Sequence, residues 1–453
     1  MASAPAQDLT EGAVPRHIIR MAIPLAVGMI FQTLYVLVDL YFVARLGDAA
    51  IAGVSAASNL QFIVMGLTQV LGVGTMVLIS HAAGRKDRDD ANLVFNQSLV
   101  LSALAGAVVL IGGLLFSGTY LRTLAADAAT VEAGTSYLRW FVPALALQFA
   151  LISMGSALRG TGIARPTMLI QMLTVLMNAA LAPVLIAGWG TGRPMGVAGA
   201  ALASTISVIL GVIALGVYFM RVEHFVRFDR ARLSPHIATW KRMLKIGVPA
   251  GGEFAILFIS MAIVYALIRD FGAAAQAGFG VGSRVMQSIF LPVMAVALAA
   301  APVAAQNFAA GKPARAREAF WASAGIGSVL MMFATLFAHW RPEWLVSPFS
   351  SDPQVLDVAS HFLRTISWNF VASGLVFTCS GMFQAMGNTV PALIASGVRV
   401  GLFTVIALWT SRLPGFQVHW IWRVSVLATT THAIASLWLL RIEAGRKLAH
   451  VPA

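Results

Sequence analysis

Two carboxylates stand in parts of the chain that are otherwise apolar. Asp39 closes the run Gln32-Thr33-Leu34-Tyr35-Val36-Leu37-Val38, and Glu253 follows Pro249 by four residues, just after Gly251-Gly252. A charged side chain at a bilayer centre costs about 2.5–3.5 kcal/mol on insertion scales. Such a residue must face a cavity or a partner, or carry a proton. The chemistry it offers is reversible binding of a proton or a metal cation. Beside Glu253, Pro249 loosens the helix and frees a backbone carbonyl, which adds a neutral oxygen to the same region. The competing readings are structural. Asp39 lies near the polar turn Gly47-Asp48, and Glu253 could pair with basic residues at the start of its helix.

The elements that position these acids are membrane helices. The chain has 453 residues, 58% of them apolar and 11% charged, with a mean hydropathy of +0.81. A soluble domain carries about 25% charged residues. Long apolar runs recur from end to end, and lipid cannot satisfy a bare backbone, so these runs must be helices. The alternating pattern of barrel strands is absent from the sequence. Twelve spans are predicted, the first over residues 17–44, the seventh over 243–268 and the tenth over 360–384. The fold expected is an all-α membrane protein, divided into a cytoplasmic segment 1–16, an N-lobe 17–225, a C-lobe 226–441 and a cytoplasmic tail 442–453.

Charge sets the expected orientation. With the N-terminus in the cytoplasm, inside segments hold 20 of the 31 Lys and Arg, outside segments hold 9, and Arg284 and Arg399 fall within spans. That bias fits the positive-inside rule with both termini cytoplasmic, in a bacterial inner membrane. The net charge of +13 is then a topology signal, and nucleic acid is not an expected partner. Cys379 is the single cysteine, so no intrachain disulfide can form. Residues 1–15 lack the basic region and cleavage site of a signal peptide, and the first helix is expected to be retained.

The chain also repeats itself. Pro24 and Pro249, Gly47 and Gly272, Ala52-Gly53 and Ala277-Gly278, Gly162 and Gly387, and Pro166 and Pro391 are all 225 positions apart. Each half holds an even number of spans, so both halves share one orientation. The expected architecture is two six-helix lobes related by a parallel pseudo-two-fold repeat, suited to rocking around a central cavity. The two acids break the repeat. Position 28 is Gly where Glu253 would have its counterpart, and position 264 is Val where Asp39 would have its own.

The motifs in order carry a family resemblance. The first span reads Ile23-Pro24-Leu25, Gln32-Thr33-Leu34-Tyr35 and Val38-Asp39, ending at Arg45-Leu46-Gly47. The loop after the fourth reads Leu158-Arg159-Gly160-Thr161-Gly162 and Arg165-Pro166. Later come Pro292, Pro302, Gln306-Asn307 and Gln384-Ala385-Met386-Gly387-Asn388-Thr389. Together these resemble the multidrug and toxic compound extrusion (MATE) family over nearly the whole chain. The resemblance implies a secondary antiporter that exports lipophilic, often cationic compounds on inward proton or sodium flow. It implies coupling roles for Asp39, for Asn178 as its helper, and for Glu253. The pattern departs from the family at Val36, Ala182, Trp368 and Asn369, where oxygen ligands are common. Sodium prefers several hard oxygens, so protons are favoured, with sodium at Asp39 or Glu253 as the alternative.

Gln32, Tyr35, Tyr137, Arg284, Gln287, Trp368 and Asn369 are expected to line a substrate cavity, with Arg284 as a partner for Glu253 or a structural clamp. The partners expected are small molecules and lipid, with a monomer as the assembly. No cofactor is expected and no enzyme motif is present: Walker patterns are missing and the histidines lack metal-ligand spacing. Two rival readings remain. One is a flippase for lipid-linked sugars, disfavoured by having only two arginines within spans. The other is a scaffold without transport, which would need no acids inside its spans.

Overall fold

The computed structural model describes residues 8–124, 127–189, 192–223 and 225–448; the side chains of Val36, Asp39, Leu40 and Leu124 lie outside this description. The first half forms α1 (Val14–Val43), α2 (Asp48–Gly84), α3 (Arg88–Leu124), α4 (Ala128–Gly160), α5 (Arg165–Ala187) and α6 (Val197–Arg221). The second forms α7 (Ile237–Ile268), α8 (Ala273–Ala309), α9 (Pro313–Trp340), the short α10 (Pro342–Val346), α11 (Pro353–Ile366), α12 (Phe370–Ala385), α13 (Val390–Thr410) and α14 (Val418–Leu448). No strand occurs among the described residues. Eleven segments among the described residues are long and apolar enough to cross a membrane. The twelfth long helix, α14, has 31 residues and carries Arg423, Arg441 and Glu443. The tenth expected span is two helices, α11 and α12, joined by one 3-10 turn at Ser367–Asn369. Most helices outrun their apolar runs at one or both ends, because polar first and last turns continue the backbone ladder beyond the apolar stretch.

The repeat is explained by backbone geometry. Gly47 and Gly272 end the first span of each half at φ 98° and 87°, and Gly162 and Gly387 turn the chain after the fourth at φ 84° and 68°. A side chain is strained at these angles, so glycine persists in both copies. Pro166 and Pro391 sit in the first turns of α5 and α13, where an N–H has no intrahelical partner to lose. Asp127 caps α4: its carboxylate accepts from the backbone N–H of Thr130 at 2.8 Å and from the Thr130 hydroxyl at 2.9 Å. The backbone N–H of Thr130 holds this carboxyl below the usual carboxylate range.

Two compact units result. One consists chiefly of Val27–Gly251, the other of Leu9–Ala26 and Gly252–Ala453. The chain changes unit at 26/27 and at 251/252, and 251 − 26 = 225, the repeat offset. Each change falls two residues after a paired proline, Pro24 inside α1 and Pro249 inside α7. Proline deletes one ladder hydrogen bond and pushes on the carbonyl four residues back, here Arg20 and Lys245, and so relaxes the helix at that point.

In the first unit α4 is the central helix, packed by α2, α3 and α6 around Tyr137, Leu138, Phe141, Leu145 and Phe149. A Cβ on Gly53 would come within 2.7 Å of the Gly134 backbone nitrogen, so α2 and α4 meet through small residues. The start of α7 packs as closely. A Cβ on Gly247 would lie 1.9 Å from the Val70 carbonyl oxygen, and one on Gly74 2.5 Å from that of Met243. In the second unit α8 holds the centre. Phe279, Phe362 and Trp422 pack there, with Phe279 and Trp422 stacked at 5.5 Å.

Each unit also fastens the segment that precedes a first helix. In the first unit the linker between α6 and α7 is read along its backbone by three amides of α3. Asn92 accepts from Arg227 N–H at 2.6 Å, and Asn96 accepts from Asp229 N–H at 2.9 Å and donates to Arg227 at 2.9 Å. Gln97 donates to the carbonyls of Arg232 and Ser234, both at 2.7 Å, and accepts from His236 N–H at 2.9 Å. Arg242 grips Asp90 through two nitrogens at 2.9 and 3.1 Å. In the second unit Asn307 donates to the Leu9 carbonyl at 3.0 Å, and Arg315 donates to Gly12 at 2.8 Å.

Asn96 and Gln97 have no exposed surface, so removing either amide strands buried linker groups. Gln97→Leu is expected to destabilise the fold by about 1–3 kcal/mol. Melting of the detergent-solubilised protein should fall, with faster hydrogen exchange at residues 232–236. Unchanged exchange there would mean that the amide does not hold the linker.

Candidate functional site

Glu253 is placed by the unit change itself. It lies in α7 one residue past Gly252, whose added Cβ would meet Leu393 of α13 at 3.0 Å. The helix face that follows Pro249 is thus seated on α13 and α12. Ser380 of α12 donates its hydroxyl to one carboxylate oxygen of Glu253 at 2.8 Å, and Ser396 of α13 lies 3.5 Å from the other. The Ser396 hydroxyl in turn lies 3.4 Å from His432 Nε2 on α14. Ser396 and His432 are buried. A half-buried carboxylate therefore faces two hydroxyls and, one link further, an imidazole. No ion pair to Glu253 occurs among the described residues.

This arrangement accommodates two protonation states. A serine hydroxyl donates to a carboxylate, and it accepts from a protonated carboxyl by rotation. Ser380, Ser396 and His432 were not identified from sequence. Serines in apolar helices are common, and only the packing of α7 on α12 and α13 selects these two. His432 lies 179 positions from Glu253 (432 − 253), with no spacing motif to connect them.

Asn178, the expected helper in the first lobe, lies on α5 with no exposed surface. Its amide nitrogen donates to the Ser204 hydroxyl of α6 at 3.1 Å, while its carbonyl oxygen Oδ1 is buried without a hydrogen-bond partner among the described residues. A stranded buried acceptor carries a desolvation cost of about 1–3 kcal/mol. It is a ready receptor for a proton donor or a cation. Ser204, also buried, is a further member the sequence did not flag. Asp39 falls in α1, and its side chain lies outside the described residues.

The residues expected to line a substrate cavity belong to both units, Gln32, Tyr35 and Tyr137 to the first and Arg284, Gln287, Trp368 and Asn369 to the second. Gln32, Arg284 and Gln287 are exposed on α1 and α8, and Tyr35 is half-buried on α1. Arg284 makes no ion pair with Glu253, whose oxygens face the serines instead. Tyr137 is buried in the α4 core against Phe141, with ring centres 5.0 Å apart. Asn369 is buried in the turn before α12; it donates to the Ser425 carbonyl at 3.3 Å and accepts from Thr430 at 3.4 Å, tying that turn to α14. Its neighbour Trp368 points outward, edge-on to His339 at 4.7 Å. No cluster of three metal-ligating side chains occurs among the described residues.

Comparison with known proteins follows the same two-part frame. The MatE family model matches residues 24–184 and again 249–410. The starts differ by 249 − 24 = 225, the offset of the paired prolines. The chain is 26% identical over 425 residues to "Probable multidrug resistance protein YoeA" of Bacillus subtilis, covering 92% of this chain and 91% of that protein. It is 25% identical to "Multidrug export protein MepA" of Staphylococcus aureus, covering 95% of each. It is also 25% identical to a "FAD transporter" of Shewanella oneidensis, covering 87% of each. A multidrug resistance MATE family transporter of the MOP superfamily, solved in an outward-facing conformation, superposes with a TM-score of 0.90 at 24% identity, covering 98% of this chain and 99% of that one. Two consecutive matches, in register with the repeat and spanning most of the sequence, show that this chain belongs to the MatE family of membrane transporters and is not an enzyme.

Proposed function

We propose that the chain is a cation-coupled antiporter that exports lipophilic, often cationic compounds, and that Glu253 carries the coupling ion. The observation that bears most weight is the Glu253 carboxylate held by two serine hydroxyls with no basic partner among the described residues. A fixed ion pair would lock the acid in one charge state, whereas hydroxyls serve both. A proton is the favoured ion, because one carboxylate and two hydroxyls fall short of the six or more oxygens a hard cation such as calcium or magnesium collects. Asn178, with its stranded Oδ1 beside Ser204, supports a second ion-responsive site in the first lobe, with Asp39 as its acid. The names of the B. subtilis and S. aureus relatives support drug export. In this reading both termini lie in the cytoplasm, as the basic residues indicate.

Coupling needs each ligand to prefer a different conformational state. Ion binding at Glu253 favours one state and substrate the other. A second reading, export of an anionic metabolite, is supported by the relative named an FAD transporter. It retains the same coupling site and changes only the cargo.

Three outcomes are expected. In proteoliposomes loaded with a fluorescent cationic dye, a proton gradient drives efflux through the wild type and a sodium gradient alone does not. Glu253→Gln lowers the gradient-driven rate by at least about tenfold, within the usual range of coupling energies; a variant that still pumps at the wild-type rate removes Glu253 from the coupling role. Asn178→Leu, which replaces the stranded acceptor with an apolar group of similar size, is expected to reduce gradient-driven efflux without lowering the melting temperature. A lower melting temperature with unchanged efflux would assign Asn178 to packing alone.

A further inference from the structure

The second unit carries a basic concavity at the end that holds the turns after α9 and α13. It is a cavity of about 420 Å³ lined by His339 of α9, His361, Arg364 and Thr365 of α11, Trp368 of the following turn and Arg423 of α14. His419 stands beside it, its ring 6.2 Å from that of His361. Two permanent cations and three imidazoles are thus gathered by three helices. Their compensation is slight. Arg364 reaches Glu343 at 3.3 Å, but both side chains are more than half exposed, and such a pair holds weakly. Arg423 has no ion-pair partner among the described residues. His339 uses Nδ1 on the Ser367 hydroxyl at 2.9 Å, which fixes the ring at the cavity edge.

The surroundings place this concavity at a membrane interface. Trp340, Trp344 and Trp368 are 69%, 63% and 68% exposed. The Arg341 guanidinium lies over the Trp340 ring at 5.7 Å and over the Trp344 ring at 5.8 Å. Exposed tryptophans beside arginines mark the headgroup level, where an indole meets lipid on one side and water on the other. Guanidinium groups bind phosphate through paired N–H donors. A basic hollow at that level, with an indole on its rim, matches a lipid phosphate with its acyl chains running down the helix surface.

We propose that this cavity is a binding site for the phosphate headgroup of an acidic phospholipid, held by Arg364 and Arg423, with Trp368 against the glycerol and upper acyl region. The site is separate from Glu253 and its serines, and the proposal stands whatever ion or cargo the transporter uses. A bound lipid joins α9, α11 and α14 at one point, so it should also steady this end of the unit.

Native mass spectrometry of the purified full-length protein tests this with three probes: phosphatidylglycerol, phosphatidylcholine, and phenyl phosphate as a water-soluble source of the same group. The wild type should retain phosphatidylglycerol over phosphatidylcholine by about tenfold or more, equivalent to about 1.4 kcal/mol. The double variant Arg364→Gln/Arg423→Gln should lose that preference, while Arg317→Gln/Arg441→Gln, which removes equal charge elsewhere, should keep it. The single Arg423→Gln breaks no ion pair and gives the same reading if the double variant does not fold. Equal retention of the two lipids by the wild type, or an undiminished preference in the Arg423 variant, would overturn the site. Displacement of phosphatidylglycerol by equimolar phenyl phosphate would overturn the lipid as its occupant and assign the cavity to soluble phosphates.

Discussion

The structure depends on two prolines that sit at the same place in each copy of the repeat. Pro24 and Pro249 each remove one backbone hydrogen bond from a long helix, and two residues later each helix leaves one packing unit for the other. A continuous ladder would hold α1 and α7 to one set of neighbours. The loosened turn lets the first part of each helix pack with one lobe and the remainder with the other. The segments before these helices are fastened accordingly, the linker by Asn92, Asn96 and Gln97 and the N-terminal segment by Asn307 and Arg315. Glu253 is placed by this joint, four residues past Pro249 and one past the glycine that admits Leu393.

The two halves share geometry and differ in chemistry. Residues kept in both copies are those the backbone demands, namely prolines at relaxed turns and glycines at positive φ. Side chains carry no such obligation. Among the described side chains the second lobe gathers a carboxylate, two hydroxyls and an imidazole, and the first sets the Asn178 amide against the Ser204 hydroxyl, with the Asp39 side chain outside the description. An exporter needs an ion and a cargo to favour different states, and unlike lobes give the two ligands unlike places to act. This asymmetry follows from the lack of any acid at Gly28 and Val264, the positions related to Glu253 and Asp39.

Much of the fold was legible in the sequence for a physical reason. Lipid forces every apolar run into a helix, so spans could be counted without knowing their contacts. Positions such as Gly47 and Gly272 exposed the repeat because nothing else tolerates their φ. The exchange of helix starts between units was not legible, since contacts of α7 with Val70 depend on how closely Gly247 lets two backbones approach. At the candidate site, Glu253 itself was visible as an acid in an apolar run, because burying charge is costly wherever it occurs. Its partners were hidden, as Ser380, Ser396 and His432 are brought together only by tertiary packing. Trp368 and Asn369 show the limit most plainly: adjacent in sequence, they face outward and inward across one turn.

The central claim is that Glu253 binds a proton in competition with substrate. The most direct measurement is proton release on adding substrate to the purified protein in weakly buffered solution, with substrate affinity followed in parallel. By linkage, a ligand that disfavours the protonated state must expel the proton. The wild type should release protons, and Glu253→Gln should bind substrate while releasing markedly fewer. Equal release from both proteins would place the coupling proton elsewhere and contradict the account.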